Sequence, residues 1–243
     1  MKKLFVVIIL LMTQQVVTAQ LKVNFPSKDG LSLTADWYPV NSNFPVILLC
    51  HQNNSSRGEF LDIALRLNKF GFNCLALDQR VGSEINGVPN ETALTAKKKN
   101  LKPSYEDAEQ DIVAAIDYLY EKYNRPVHLL GSSYSASLIL KIAAVNGKIG
   151  SVMVFSPGEY FTEKNYVSSH IQNLTKPVFA TSSRSEADGV TDLLKDVNSR
   201  IKIQYVPASK GDHGAKVLWP DSQYNQEYWI ALMSFLERIK KNK

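Results

Sequence analysis

Cysteine is scarce in this chain. Only Cys50 and Cys74 occur among 243 residues, too few for a disulfide framework. An exported protein could pair two cysteines, but each of these lies in an apolar stretch typical of a strand. Because cysteine behaves as a small buried hydrophobe, we expect two free thiols in the core rather than a disulfide.

An excess of one charge is also lacking, and so are ion-binding motifs. Lys and Arg total 28 against 23 Asp and Glu, a net charge of +5, which is too small to indicate nucleic-acid binding. The sequence contains neither a metal-ligand spacing nor a phosphate-binding glycine loop. The run Lys97-Lys98-Lys99 is typical of an exposed loop. We therefore expect no nucleic-acid partner and no metal site.

Long apolar runs are absent except at the N-terminus. There Lys2 and Lys3 precede the apolar residues Leu4 to Met12, and small residues follow at Val17-Thr18-Ala19. This order is the pattern of a secretory signal peptide, although the run is about half the ~20 apolar residues that a membrane span needs. We expect cleavage between Ala19 and Gln20. Residues 1–19 are then a signal peptide, and residues 20–243 are a secreted or periplasmic chain with no stable membrane anchor.

Residues 20–243 have a length that suits one domain. After an opening hairpin, short apolar stretches alternate with amphipathic ones, a pattern typical of a mostly parallel sheet covered by helices on both faces. Residues 156–176 leave little room for a cap domain. Residues 78–103 show no helical periodicity, so we expect a loop that forms one wall of a pocket at the carboxyl edge of the sheet.

One strand, turn and helix pattern singles out a serine. The apolar stretch 126–130 runs into Gly131-Ser132-Ser133-Tyr134-Ser135, and an apolar helix follows. A serine at the tip of such a turn is lifted clear of the sheet, provided that the residues two before and two after it are small. Ser133 meets this condition with Gly131 and Ser135, although a glycine is usual where Ser135 stands. The alternative interpretation is a tight turn without chemistry.

A serine nucleophile needs a base and an acid. In enzymes with such a turn, the chain order is serine, acid, histidine. His213 lies in a glycine-bracketed loop after the last apolar strand, whereas His170 lies in an irregular segment. Counting from Pro177 favours Glu186 as the acid, with Asp188 as the alternative.

When a serine attacks a carbonyl carbon, negative charge develops on the carbonyl oxygen. Two preorganised backbone amides are needed to stabilise that oxyanion. The residue after the nucleophile, Tyr134, supplies one. The loop after the strand 46–50 begins His51-Gln52-Asn53, and we infer that Asn53 supplies the other. Gln52 stands where a glycine is common. We expect His51 to be a buried structural histidine that braces this loop.

These motifs resemble those of the α/β-hydrolase superfamily along nearly the whole of residues 20–243. The loop at His51-Gln52, Asp78-Gln79-Arg80, the elbow around Ser133 and Asp212-His213-Gly214 are most similar to its dienelactone-hydrolase-like, serine esterase branch. The resemblance implies an α/β fold with a mostly parallel eight-stranded sheet and a minimal cap. It also implies hydrolysis of a carboxylic ester through an acyl-enzyme on Ser133, without a metal or organic cofactor. Dienelactone hydrolases use a cysteine nucleophile, so a dienelactone substrate does not follow.

Two other functions fit the same residues. One is a peptidase or acyltransferase that uses the same three side chains, and the other is a non-catalytic binding protein that retains the fold. Having Ser133, His213 and an acid in the right order favours the enzyme. Its expected partner is a small-molecule ester, and the sequence indicates neither the acyl length nor an oligomeric state.

Overall fold

One eight-stranded sheet organises residues 20–241, the part of the chain that the computed structural model describes. The signal peptide predicted over residues 1–19 lies outside the described residues. The strands are β1 Leu21–Pro26, β2 Ser32–Tyr38, β3 Val46–Cys50, β4 Asn73–Leu77, β5 Val127–Ser132, β6 Ile149–Phe155, β7 Val178–Thr181 and β8 Lys202–Tyr205. Their spatial order is β1-β2-β4-β3-β5-β6-β7-β8. The hairpin β1–β2 and the pair β2–β4 are antiparallel, and every other pair is parallel.

Helices cover both faces of this sheet. They are α1 Leu61–Lys69, α2 Glu91–Lys98, α3 Glu109–Tyr123, α4 Tyr134–Val145, α5 Ala187–Leu194 and α6 Asn225–Lys241. Helices α3, α4 and α5 pack on one face, and α1 and α6 on the other. Strand β3 is wholly buried: Val46, Leu48 and Cys50 face the first layer, and Ile47 and Leu49 face the second. The continuous apolar runs of the sequence therefore mark strands that are buried on both sides.

The two cysteines are free and buried, as predicted. Cys50 joins the core on the α3–α4 side, whereas Cys74 of β4 joins the core on the α1–α6 side. Since the two side chains point to opposite faces of the sheet, they do not meet. Within residues 20–241, no helix combines the length and the apolar character that a membrane crossing needs.

The prediction that residues 78–103 form only a loop is wrong, because α2 lies within them. The Asn90 side chain accepts a hydrogen bond from the Ala93 amide at 2.8 Å and so caps the helix. Glu91 in the first turn and Lys97 and Lys98 in the last turn complement the helix dipole. Only Thr92 and Ala96 are buried, so this two-turn helix has no apolar periodicity to detect. The lysine run 97–99 ends a helix rather than lining a loop.

Parallel strands place their carboxyl ends, and the loops that follow, at one edge of the sheet. The loops after β3, β4, β5, β6, β7 and β8 therefore converge. Residues 156–177, between β6 and β7, form turns without a helix or strand. The expected minimal cap is confirmed.

Candidate active site

Ser133 lies at a strained turn between β5 and α4. Its backbone has φ 56° and ψ −124°, a conformation that costs a residue with a side chain about 1–3 kcal/mol. The Ser133 amide donates a hydrogen bond to the Phe155 carbonyl of β6 at 2.8 Å. A Cβ added to Gly131 would lie 2.8 Å from the backbone of Ala136. This close approach is the reason for the small residue predicted there.

Ser135 stands in the place where a glycine is usual. It is fully buried, and its hydroxyl makes two hydrogen bonds. The hydroxyl donates to the His51 carbonyl at 2.5 Å and accepts a hydrogen bond from the Gln79 side-chain amide. The side chain that departs from the usual pattern therefore ties the elbow to the loop after β3.

A continuous hydrogen-bond chain runs from Ser133 through His213 to Glu186. The Ser133 Oγ lies 2.8 Å from Nε2 of His213, and Nδ1 of His213 lies 2.5 Å from Oε1 of Glu186. Since a carboxylate only accepts hydrogen bonds, Nδ1 carries the proton and Nε2 is the atom that accepts the Ser133 hydroxyl proton. This arrangement has the connectivity of a serine–histidine–acid triad.

Two glycines bring His213 to this position. Gly211 and Gly214 have φ of 63° and 77°, in the left-handed region. A Cβ on Gly214 would lie 2.4 Å from Oε1 of Gln52 and 2.7 Å from Oγ of Ser132, so only glycine fits. The next amide, that of Ala215, donates to the Ser132 hydroxyl at 2.8 Å and closes the loop on the elbow.

Of the two candidate acids, Glu186 is the one that reaches His213. It ends the 3-10 turn Arg184–Glu186, where Oε2 accepts hydrogen bonds from the amide and hydroxyl of Ser183 at 3.1 and 2.8 Å. Partial burial raises the pKa of Glu186, but hydrogen bonds from His213, Ser183 and Ser156 outweigh burial and lower it to about 2. Asp188 lies exposed in the first turn of α5.

Ser156 is a site residue that the sequence reasoning did not identify. Its hydroxyl donates to Oε2 of Glu186 at 2.8 Å and accepts a hydrogen bond from the Gly214 amide at 3.0 Å. Its φ of 53° is again in the left-handed region. The signal for it is positional: Ser156 directly follows β6, as Ser133 directly follows β5.

The predicted oxyanion donors lie at two adjoining places. The Tyr134 amide is the first of α4, where helix geometry provides no intrahelical acceptor. In the loop after β3, the Gln52 amide donates to Oε2 of Glu59 at 3.0 Å, and Asn53 follows it. Because the Gln52 amide already donates to Glu59, it is not available as the second donor. The assignment of that donor to Asn53 stays a prediction.

Comparisons with known proteins agree with this architecture. No family model and no curated protein matches the chain, but solved structures are similar to it. An esterase from Pyrococcus furiosus superposes with a TM-score of 0.70 at 16% identity, over 92% of each chain. A dienelactone hydrolase from Anabaena variabilis superposes with a TM-score of 0.67 at 15% identity, over 89% of this chain and 95% of its own.

A third similar structure is an acylaminoacyl peptidase from Pyrococcus horikoshii, with a TM-score of 0.65 at 16% identity. It covers 90% of this chain, which corresponds to 41% of the peptidase. The chain has the α/β-hydrolase fold. The predicted fold class, a mostly parallel eight-stranded sheet with helices on both faces, is confirmed.

Within this α/β-hydrolase fold, His51 is structural, as expected. It is completely buried; its Nδ1 donates to the Gln52 carbonyl at 2.7 Å, and its Nε2 accepts a hydrogen bond from the Gln79 amide at 3.2 Å. Burial lowers the pKa of His51 to about 4, against the hydrogen bond to the Gln52 carbonyl. A neutral imidazole therefore braces the loop that carries Asn53.

Glu59 is a second site residue that the sequence reasoning missed. Its side chain is completely buried beneath the loop after β3, and its carbonyl accepts a hydrogen bond from Nε1 of Trp219 at 2.8 Å. Burial raises the pKa of Glu59, and the hydrogen bond from the Gln52 amide opposes that rise. A carboxyl group thus lies between the candidate oxyanion loop and the nucleophile elbow.

Solvent reaches the site from the side of Glu186. A cleft of about 710 Å³ opens there between residues 157–172 and α5, and Glu186 and Glu159 lie in its wall. The side chains of His213 and Glu186 are 39% and 32% exposed. Solvent therefore reaches the acid and the histidine of the hydrogen-bond chain, whereas Ser133 is buried. Among residues 20–241, no group of three or more His, Cys, Asp or Glu side chains is arranged to hold a metal ion.

Proposed function

We propose that this chain is an exported serine hydrolase that cleaves a carboxylic ester through an acyl-enzyme on Ser133. The observation that carries the proposal is the hydrogen-bond chain Ser133–His213–Glu186, with Nε2 of His213 positioned 2.8 Å from the Ser133 Oγ. A hydroxyl is a weak nucleophile unless a base lies within hydrogen-bond reach. The signal-peptide pattern at the N-terminus supports export.

In the first half of the proposed reaction, Oγ of Ser133 attacks the ester carbonyl carbon while its proton passes to Nε2 of His213. Ionised Glu186 stabilises the resulting imidazolium and holds its orientation. The negative charge that develops on the carbonyl oxygen is stabilised by the amides of Tyr134 and Asn53. The tetrahedral intermediate then collapses, the ester C–O bond breaks, and the alcohol leaves with the proton from His213.

In the second half, a water molecule attacks the acyl-enzyme carbonyl. His213 takes the water proton and returns it to Oγ of Ser133 as the acyl–serine bond breaks. The products are one carboxylic acid and one alcohol, and Ser133, His213 and Glu186 return to their starting states.

The ester preference is supported by two of the similar structures, an esterase and a dienelactone hydrolase, since a lactone is a cyclic ester. The peptidase alternative is supported by the similarity to the acylaminoacyl peptidase. Both chemistries use an acyl-enzyme, so substrate assays separate them: p-nitrophenyl esters of graded acyl length against the matching p-nitroanilides. For each substrate we compare the enzymatic rate with the uncatalysed rate. We expect this ratio to be at least tenfold larger for the esters than for the anilides, because a site that binds the ester transition state accelerates ester hydrolysis more.

A fluorophosphonate probe tests the nucleophile directly. We expect it to label Ser133 of the folded protein, and labelling to disappear in Ser133→Ala and to fall sharply in His213→Ala. Matched controls are Ser42→Ala and His170→Ala, since both side chains are exposed and belong to neither the hydrogen-bond chain nor the elbow. Folded wild-type protein that takes up no probe would instead support a non-catalytic binding protein.

A further inference from the structure

A second, smaller cleft is lined in part by Tyr160, whose ring contacts His213. Its volume is about 310 Å³, and its walls include Val81, Pro103, Tyr105, Glu106, Tyr160 and Thr162. We call it the tyrosine cleft. Residues 78–103 contribute to it, in the role of pocket wall that the sequence predicted.

The tyrosine cleft adjoins His213 through Tyr160. The ring of Tyr160 meets the His213 ring edge-on, with centroids 6.4 Å apart and an interplanar angle of 86°. Its hydroxyl donates to the Ser156 carbonyl at 2.8 Å, which fixes the ring in place. Burial and the nearby charge of Glu186 raise the pKa of Tyr160 to about 12, against an opposing hydrogen bond with Ser133. Tyr160 is therefore a neutral aromatic wall beside the reacting atoms.

Two other lining residues, Tyr105 and Val81, contact Tyr134, whose amide is a candidate oxyanion donor. The ring of Tyr105 stacks on that of Tyr134, with centroids 4.5 Å apart and an interplanar angle of 15°. The Tyr134 hydroxyl donates to the Val81 carbonyl at 3.1 Å. A group bound in the tyrosine cleft would therefore touch surfaces fixed to both His213 and the nucleophile elbow.

The chemistry of the walls limits what binds there. Aromatic side chains receive another ring in offset or edge-on packing. A cavity of about 150 Å³ is enough to hold benzene, and the tyrosine cleft is larger. Among its described lining residues none is basic, and Glu106 contributes a half-buried carboxylate. Burial raises the pKa of Glu106, but hydrogen bonds from its own amide, Ser104 and Thr162 lower it overall, so the group is ionised at neutral pH.

We infer that the tyrosine cleft is a substrate subsite that takes one ring-bearing substituent of the ester, either uncharged or carrying a positive charge, and that it rejects a substituent bearing a carboxylate. Tyr160 is its specificity-determining residue. This inference rests on the proposed function, because it assigns the cleft to one of the two groups that flank the ester bond.

Two ester pairs test the inference and show which substituent enters. Benzyl acetate against ethyl acetate changes the alcohol, and ethyl phenylacetate against ethyl acetate changes the acyl group. We expect a kcat/KM preference for the aromatic member of about tenfold or more in one pair, through added ring contact. Tyr160→Ala should remove that preference, while Tyr160→Phe, which keeps the ring, should retain it. Tyr120→Ala, at the C-terminal end of α3, is the matched control and should retain it too.

Charge gives an independent measurement. We expect 4-carboxybenzyl acetate to react about tenfold more slowly than benzyl acetate, because two negative charges repel each other at close range. The corresponding 4-aminomethyl ester should react at least as fast as benzyl acetate. If the acyl group rather than the alcohol enters the cleft, the same comparison is made with phenylacetate esters that bear these para substituents. Glu106→Gln should reduce the difference in rate between benzyl acetate and 4-carboxybenzyl acetate. Glu121→Gln, on an exposed part of α3, should leave this difference unchanged.

The subsite and the proposed function fail in different ways. Protein that takes up the fluorophosphonate and hydrolyses ethyl acetate, yet shows no aromatic preference in either pair, overturns the subsite alone. A preference that survives in folded Tyr160→Ala overturns it as well. Protein that neither takes up the probe nor hydrolyses any ester overturns the proposed function, and the subsite with it.

Discussion

The Ser156 hydroxyl donates a hydrogen bond at 2.8 Å to Oε2 of Glu186, the carboxylate oxygen that His213 does not use. The same hydroxyl accepts the Gly214 amide, next in the chain to His213, at 3.0 Å. One side chain at the end of β6 therefore fixes both the acid and the histidine loop. In this protein the alignment of the triad-like chain depends on a fourth residue.

Ser156→Ala should lower kcat with little change in KM. A hydrogen bond to a charged group contributes about 1.5–3 kcal/mol, so we expect a loss of roughly ten- to a hundredfold. Steady-state kinetics on a p-nitrophenyl ester measures it. Ser156→Gly, which accepts the positive φ of this position easily, should lose as much, because it also lacks the hydroxyl. Full activity in the glycine variant would show that backbone conformation, rather than the hydroxyl, is what matters at this position.

Glu186→Gln should lower kcat sharply, and Asp188→Asn should change it little. By analogy with the loss of a triad carboxylate, the decrease for Glu186→Gln should reach about 10⁴-fold. The amide oxygen of the glutamine would face the donors of Ser183 and Ser156, so its NH2 group would face Nδ1 of His213 and favour the wrong tautomer of the imidazole. Single-turnover kinetics with an ester substrate measures both variants. If Asp188→Asn were the damaging change, Asp188 would be the acid, and the contact between Glu186 and His213 would not be the one used in catalysis.

Glu59 should make stability fall as pH rises. Burial raises the folded-state pKa of Glu59 above its ordinary value of 4.5. Its stabilising contribution is therefore fully present below pH 4.5 and is lost as pH rises through the folded-state pKa. Glu59→Gln, which keeps an acceptor for the Gln52 amide, should remove this dependence. Urea unfolding at a series of pH values measures it, and parallel curves for wild type and Glu59→Gln would contradict the prediction.

Two further variants, Glu59→Ala and Glu186→Gln, give different dependences of stability on pH and serve as comparisons. Glu59→Ala leaves the partly buried Gln52 amide without its acceptor and should cost about 1–3 kcal/mol at every pH. Glu186 gives the opposite sign, because its pKa is lowered from 4.5 to about 2. The stability that Glu186 contributes is present above pH 4.5 and is lost as pH falls toward 2, so Glu186→Gln should flatten the acid side of the curve.

Export should remove residues 1–19. The basic start, the apolar run and the small residues before Gln20 predict cleavage after Ala19. The intact mass of the protein recovered from the secreted or periplasmic fraction of an expressing host measures it. The expected species begins at Gln20, and an exported species that retains Met1 would rule out this cleavage.

The sheet and its carboxyl edge could be predicted because their signals are local. The buried strands are continuous apolar runs, and Gly131 and Gly214 stand where the backbone leaves no room for a Cβ. Counting residues after Pro177 could only rank Glu186 above Asp188, however. The difference between them lies in the turn Arg184–Glu186, which directs one carboxylate to His213 and leaves the other on an exposed helix.

The features that escaped prediction depend on contacts between distant parts of the chain. Glu59 has the sequence context of an ordinary charged residue at a helix start, and its burial results from packing against segments such as that of Trp219. Ser156 becomes informative only once β6 is known to lie between β5 and β7. Helix α2 has a cap and favourable charges but too few buried side chains to give a period.

Ser135 has a consequence for anyone who would engineer this protein toward the commonest form of its elbow. Restoring glycine there would match the usual pattern, and consensus substitutions often stabilise proteins. Here the hydroxyl binds the His51 carbonyl and the Gln79 side chain in a fully buried place, so its removal would leave both groups short of a partner. In this chain the atypical residue is the better-fitting one, and a consensus design should keep it.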